Sequence, residues 1–211
     1  MYSPKQNKEK ILFNGSFSDG TFCNFIVVND TQNQWIVGDD IAYKNNTYSA
    51  YITSNGVNNN YIGSVVQVSH IYFDVKFPRV LSSADLEFEW RCLGEPKFDY
   101  MRVQWADPTI TPVAGTSLAN KYSIGTSNYK REITTSRGSG TSKNNVIETV
   151  YDYQSSPTWR KEYIPLDLSG VRNRKKRFIF SWINSADQNT FNPPIALDNI
   201  RVSTITSLEN Y

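Results

Sequence analysis

The chain has 211 residues, 39% of them hydrophobic and 14% aromatic, and its 22 basic and 20 acidic side chains leave a net charge of +2. A chain of this length and apolar content buries a core without disulfide staples, so disorder and a cysteine-framework scaffold are excluded. So mild a charge does not call for nucleic acid as a partner, and no stretch approaches the roughly 18 apolar residues of a membrane-spanning helix.

Taken in chain order, the opening MYSPKQNKEKIL lacks the apolar stretch of a secretory signal. Period-two runs rich in aromatic and β-branched residues then recur between Gly, Asn, Ser and Pro clusters, and helical periodicity is nearly absent. Early strands are expected at 22–28, 33–37 and 49–53. The next runs from Val65 to Phe77 (VVQVSHIYFDVKF), with Ile71, Phe73, Val75 and Phe77 on the core side. The only histidine, His70, takes the opposite face and reads as a satisfied surface or edge residue. It has no nucleophile elbow beside it.

Leu86 to Cys92 (LEFEWRC) sets Leu86, Phe88 and Trp90 against Glu87, Glu89 and Arg91, one face for a core and one for water. Glu87 and Glu89 would stand about 7 Å apart along the strand, a separation compatible with glycoside hydrolysis by paired carboxylates. Arg91 interrupts the acidic series and supplies a counter-charge, which favours a solvated strand face. Cys92 continues the inward series as a small hydrophobe, and spacing leaves open whether it pairs with Cys23.

Tyr100 to Trp105 (YMRVQW) is the next strand, with Trp105 assigned to the core by parity. The region from about 112 to 157 is irregular and polar, and is expected to be a surface excursion carrying a hairpin or short helix. Strands follow at 163–168, 177–183 and 195–205. The run Arg172-Asn173-Arg174-Lys175-Lys176-Arg177 sits in a turn and reads as a solvated face, with a salt-sensitive contact to an anionic polymer as its functional alternative. Core parity leaves Trp35, Tyr43, Tyr129, Tyr153 and Trp159 as candidate platforms for a sugar ring.

In the last strand, PPIALDNIRV changes phase. Ile195 and Leu197 share one face, yet Ile200 and Val202 would point the other way unless one residue leaves the pleat near Asp198. Asp198 is therefore expected to turn inward at a bulge, tying the first and last strands together. The whole pattern reads as a single all-β domain over 1–211, with its core over about 13–205. Its architecture is a two-sheet antiparallel β-sandwich of jelly-roll type.

The ordered series NQWIVGDD, TYSAYITSNG, SHIYFDVKFP, LEFEWRCLGEPKFDYMRVQWAD, PTWRKEYIPLDLSG, RFIFSWINS and NPPIALDNIRVS resembles the cleaved-adhesin or choice-of-anchor J domains of bacterial surface proteins, relatives in fold of the MAM module. The resemblance implies a non-catalytic binding or adhesion module of a larger secreted or cell-surface protein, extracellular, with a glycan or a host or surface protein as partner. It also implies structural calcium near the first and last strands, here at Asp19 and Asp198, although Phe17-Ser18 stands where related domains carry Phe-Glu. The alternatives are a structural spacer, or a concanavalin-like glycan-active enzyme using Glu87 and Glu89.

Overall fold

The alternating runs pair into two antiparallel sheets in the computed structural model, which describes residues 7–41, 47–125, 130–137, 144–187 and 189–207. The strands are β1 (Asn7–Gly15), β2 (Ile26–Val28), β3 (Gln34–Gly38), β4 (Ser49–Thr53), β5 (Gln67–Lys76), β6 (Ser83–Cys92), β7 (Tyr100–Ala106), β8 (Lys130–Arg137), β9 (Asn144–Tyr153), β10 (Ser156–Pro165), β11 (Lys175–Asn184) and β12 (Ala196–Ser207). One sheet runs β10-β6-β12-β4-β3, with β1 also paired to β12, and the other runs β2-β5-β11-β7-β9-β8. Among the described residues, no helix is long and apolar enough to cross a membrane.

The inner faces meet in one hydrophobic core. Leu86, Phe88 and Trp90 of β6 oppose Phe178, Phe180 and Trp182 of β11, all buried. Phe73 is the hub: Phe13 stacks on it with centroids 3.6 Å apart, Phe178 at 5.3 Å, and Phe25 meets it edge-on at 5.2 Å. Offset and edge-to-face contacts of this kind add to the burial of apolar area that drives the two sheets together.

β10 starts at Ser156, earlier than the alternation at 163–168 implied, because a register shift between Ser156 and Arg160 breaks the period. β1 hides in NKEKILFNG for the same reason, its register to β12 slipping between Ile11 and Phe13. β8 and β9 form a hairpin that joins the second sheet through Met101↔Tyr153 and Arg102↔Asp152.

The phase break in β12 has a topological purpose. Ala196 and Leu197 pair with β4, whereas from Ile200 onward the strand pairs with β1. The register to β6 shifts between Asp198 and Arg201, and Asn199 takes φ of 48°. Asn199 is thus the residue lifted from the pleat, which lets Leu197 and Ile200 both reach the core while the strand changes neighbour. Asp198 lies opposite Glu89, on the face away from Leu197, so it does not point into the hydrophobic core as the sequence pattern implied. It is nonetheless fully buried there, and its Oδ1 accepts the N–H of Asn199 at 2.7 Å.

Asn tolerates the left-handed region and β-branched residues do not. Asn199→Val is therefore expected to cost about 1–2 kcal/mol and Asn199→Gly much less, measured by urea unfolding. A valine variant as stable as the parent would show that the bulge adapts freely.

The face of the second sheet away from the core is also covered. Residues 107–125 cross it as a strap, closing a small apolar cluster of Tyr72, Ala106 and Ile179 with Ile110, Leu118 and Tyr122. Polar side chains of the sheet bond the strap's backbone: Gln104 donates to the Ala119 carbonyl at 3.1 Å and Arg177 to the Ile110 carbonyl at 3.0 Å. His70, expected at the surface or an edge, is fully buried under the strap, between Ser181 Oγ at 2.8 Å and the Val113 carbonyl at 3.1 Å.

Candidate functional site

Where the sheets part, beside the β7 and β9 edge, a cleft of about 250 Å³ opens between them. Trp105, the penultimate residue of β7, forms one wall. Parity turns its indole toward the core, but at the end of the strand the core runs out, so the ring packs on Phe178 at 6.1 Å and stays half-buried. Tyr151 of β9 forms a second wall, also half-buried, and its backbone N–H donates to Ser123 Oγ at 3.1 Å. Ile164 and Leu166, buried ends of the opposite sheet, make an apolar lining with Ile124.

Gly125 also lines the cleft. A Cβ there would stand 2.5 Å from the Tyr153 hydroxyl and 2.9 Å from Tyr151 Cβ, so the end of the strap approaches β9 this closely only without a side chain.

Asp167 lies exposed at the lip. Its two oxygens accept the Ser169 hydroxyl at 2.7 Å and the Ser169 N–H at 2.9 Å. Those bonds hold its carboxyl below the usual carboxylate range, so it is ionised and oriented at neutral pH. Two flat rings, an apolar lining and one fixed acceptor offer stacking for the C–H face of a sugar and a partner for its hydroxyls.

The described residues among those singled out from sequence do not wall this cleft. Trp35 is 1% exposed in the core, its indole N–H donating to the Ser69 carbonyl at 3.1 Å, so it offers no platform. Tyr153 is fully buried, with its hydroxyl on Glu162 Oε1 at 3.2 Å. Trp159 is half-buried on the irregular stretch of β10, outside the cleft. Tyr43 and Tyr129 fall outside the described residues. Trp105 and Tyr151 were missed because parity marks which way a ring points, not whether packing closes over it.

Glu87 and Glu89 sit on the outer face of the first sheet and not in the cleft. Glu87 is held by Lys161 Nζ at 2.5 Å and Arg201 Nη1 at 3.8 Å, and Arg201 also reaches Glu9 at 2.6 Å. Glu89 is 8% exposed. Glu87 thus belongs to a strand-face ion network with Lys161, Arg201 and Glu9.

Asp19 and Asp198, the residues matched to a calcium site, do not join a group of three or more ligating side chains among the described residues. Asp19 is exposed and closes its own turn, accepting the Cys23 thiol at 3.0 Å and the Thr21 N–H at 3.0 Å. Glu95, Asp99 and Asp187 are the three carboxylates that do converge, within 4.8 Å of one another. Asp99 is already engaged, by the Tyr61 hydroxyl at 2.5 Å and the Ser185 N–H at 2.9 Å. Burial raises its carboxyl above the usual range. Cys23 is exposed and Cys92 buried, and both are free thiols.

No protein-family model and no curated protein matches the sequence. Solved structures similar to the chain include the enzymatically active domain of tailspike protein 4 from bacteriophage CBA120, with TM-score 0.49 and 10% identity over 90% of this chain, which spans 20% of that one. The xylan-binding CBM22-1 domain of Paenibacillus barcinonensis Xyn10C is similar at TM-score 0.47 and 11% identity, covering 94% of this chain and 97% of that one. The K1 cleaved adhesin domain of Lys-gingipain from Porphyromonas gingivalis W83 is similar at TM-score 0.46 and 13% identity, covering 97% of this chain and 99% of that one.

Proposed function

We propose that this domain is a non-catalytic binding module that seats a sugar ring of a glycan in the cleft between Trp105, Tyr151 and Asp167. One observation carries the reading: two half-buried aromatic rings and an oriented, ionised carboxylate share one apolar-lined cleft. At about 250 Å³, the cleft is slightly smaller than the roughly 300–1,000 Å³ of most small-molecule pockets. It suits one ring and its neighbours better than a long buried chain. The ion pairs closed around Glu87 favour binding over hydrolysis. The motif series, which resembles cleaved-adhesin domains, supports a place on an exported or surface protein.

The test is a glycan array followed by titration calorimetry on the best ligand. Trp105→Ala is expected to weaken binding tenfold or more, about 1.4 kcal/mol, with the fold retained by circular dichroism. Asp167→Asn should weaken it too, since the amide cannot accept as a carboxylate does. An array without hits, or a ligand indifferent to Trp105→Ala, would return the domain to a spacer role.

A further inference from the structure

One end of the sandwich gathers six cations from two separate segments: Lys76 at the end of β5 with Arg79 in the following turn, and Arg172, Arg174, Lys175 and Lys176 at the β11 entry. All are exposed except Lys176, which is half-buried. The register brings Lys76 directly opposite Lys175. Like charges facing each other across a strand pair are destabilising, so this arrangement works against the fold.

The backbone beneath them is firmly set. Phe77 N–H bonds the Arg174 carbonyl at 2.9 Å and Asn173 N–H the Pro78 carbonyl at 3.1 Å. Lys76 Nζ donates to the Asn173 carbonyl. Val171 anchors the turn in the core, fully buried.

The carboxylates nearby are committed elsewhere. Asp74 holds Arg177 through two bonds of 2.8 and 3.1 Å. Asp107 accepts the Thr109 N–H and hydroxyl at 3.1 and 2.9 Å, and Lys176 and Arg174 act on it only at longer range. Among the described residues, none of the six cations forms an ion pair.

The patch and the cleft meet at one residue. Lys176 Nζ lies 5.5 Å from the ring centroid of Trp105, the same ring that walls the cleft. A chain whose sugar rests on Trp105 would pass its acidic substituents across Lys176 and then the Lys76, Lys175 and Arg174 surface. We propose that the ligand of this domain is an acidic polysaccharide, bearing carboxylate or sulfate groups, bound with its sugar at Trp105 and its charges along this basic end. The proposal rests on the cleft as the glycan site. With a net charge of only +2, the whole molecule has no long-range field to favour polyanions at large, so the local register of cations and ring sets the choice.

The test measures binding of the full chain to polygalacturonate, dextran sulfate, uncharged dextran, a duplex DNA and phosphatidylglycerol vesicles. The variants are Lys76→Glu/Lys175→Glu and Trp105→Ala. The parent should bind polygalacturonate or dextran sulfate and not uncharged dextran, with affinity falling roughly tenfold between about 50 and about 200 mM salt. Charge reversal should lower that affinity at least tenfold and flatten its salt dependence, with the fold retained by circular dichroism. Trp105→Ala should lower affinity without changing the salt dependence.

Which of the two polymers binds tells carboxylate from sulfate recognition. Binding to neutral glycans alone, unchanged by charge reversal, would overturn this proposal and leave the cleft reading standing. No binding to any glycan would overturn both. Equal binding to DNA or vesicles, indifferent to Trp105→Ala, would make the patch a general polyanion contact and overturn the assignment to polysaccharide.

Discussion

Replacing Arg102 by methionine is expected to destabilise the domain by roughly 3–5 kcal/mol, because it removes the guanidinium from a buried carboxylate. Arg102 and Asp152 are 2% and 1% exposed and meet through Nη2 and Nε at 2.7 and 3.0 Å from one oxygen. The same guanidinium donates to Asn120 Oδ1 in the strap at 2.8 Å and lies 4.9 Å from the Tyr100 ring centroid. It therefore joins β7, the strap and the β8–β9 hairpin at the one place where β9 pairs with the sheet. Urea unfolding of Arg102→Met measures the loss. The double variant Arg102→Met/Asp152→Leu should recover part of it, since replacing both partners with apolar groups removes the buried charge. Tyr151 stands beside Asp152 on β9, so the single variant should also weaken glycan binding. A loss under about 1 kcal/mol would show that the pair contributes little more than a surface ion pair does.

Acid is expected to weaken the fold through His70, the only histidine in the chain. In the neutral ring Nε2–H donates to the Val113 carbonyl, so Nδ1 accepts from the Ser181 hydroxyl. A proton added at Nδ1 puts a donor against that hydroxyl and a cation in a buried site. The hydroxyl must then turn to Gln104 Oε1, 3.5 Å away. Burial pushes the His70 pKa below its ordinary value of 6.5, against smaller opposing effects from the Val113 and Thr116 carbonyls and Asp30.

With the folded pKa depressed, the unfolded chain takes up the proton first, so the stability is complete above about 6.5 and declines as pH falls from there toward the folded pKa. Within that window the slope is about 1.4 kcal/mol per pH unit for one proton. Asp99 and Glu95, both raised by burial, add their own pH dependence. The measurement is therefore the difference between parent and His70→Gln in denaturant midpoints from pH 7.5 to 5.0. The variant should lose the His70 part of the slope whatever its absolute stability. Equal slopes in both proteins would show that His70 charges without cost, and that the strap opens easily above it.

The outer face of the second sheet marks where reading the sequence stops being sufficient. In β5, the parity of Ile71, Phe73 and Val75 identifies the core side, and all three are there. The same parity sends His70 and Tyr72 outward, which for an isolated sheet means water. Both are instead buried, because residues 107–125 come from well downstream in the chain and lie over them. Nothing local in VSHIYFDV encodes that cover. The aromatic residues repeat the lesson in both directions: Trp35, apparently free of the core by parity, is sealed inside it, and Trp105, assigned to the core, keeps part of its ring at a cleft.

The bulge in β12 was legible because a pleat has a strict period of two, and a phase change between Leu197 and Ile200 has few physical solutions. That it marks the handover from β4 to β1, and that Asn199 rather than Asp198 leaves the pleat, depends on which strands lie alongside. The all-β class, two antiparallel sheets and the inward residues of β5, β6 and β11 were determined by the sequence alone, since side-chain alternation is a local property that each strand carries by itself. The strap over His70, the cleft beside Trp105 and the lysine pair at 76 and 175 were decided only by the tertiary structure. Each is a meeting of segments far apart in the chain, and pairing register and packing, not local pattern, determine what meets.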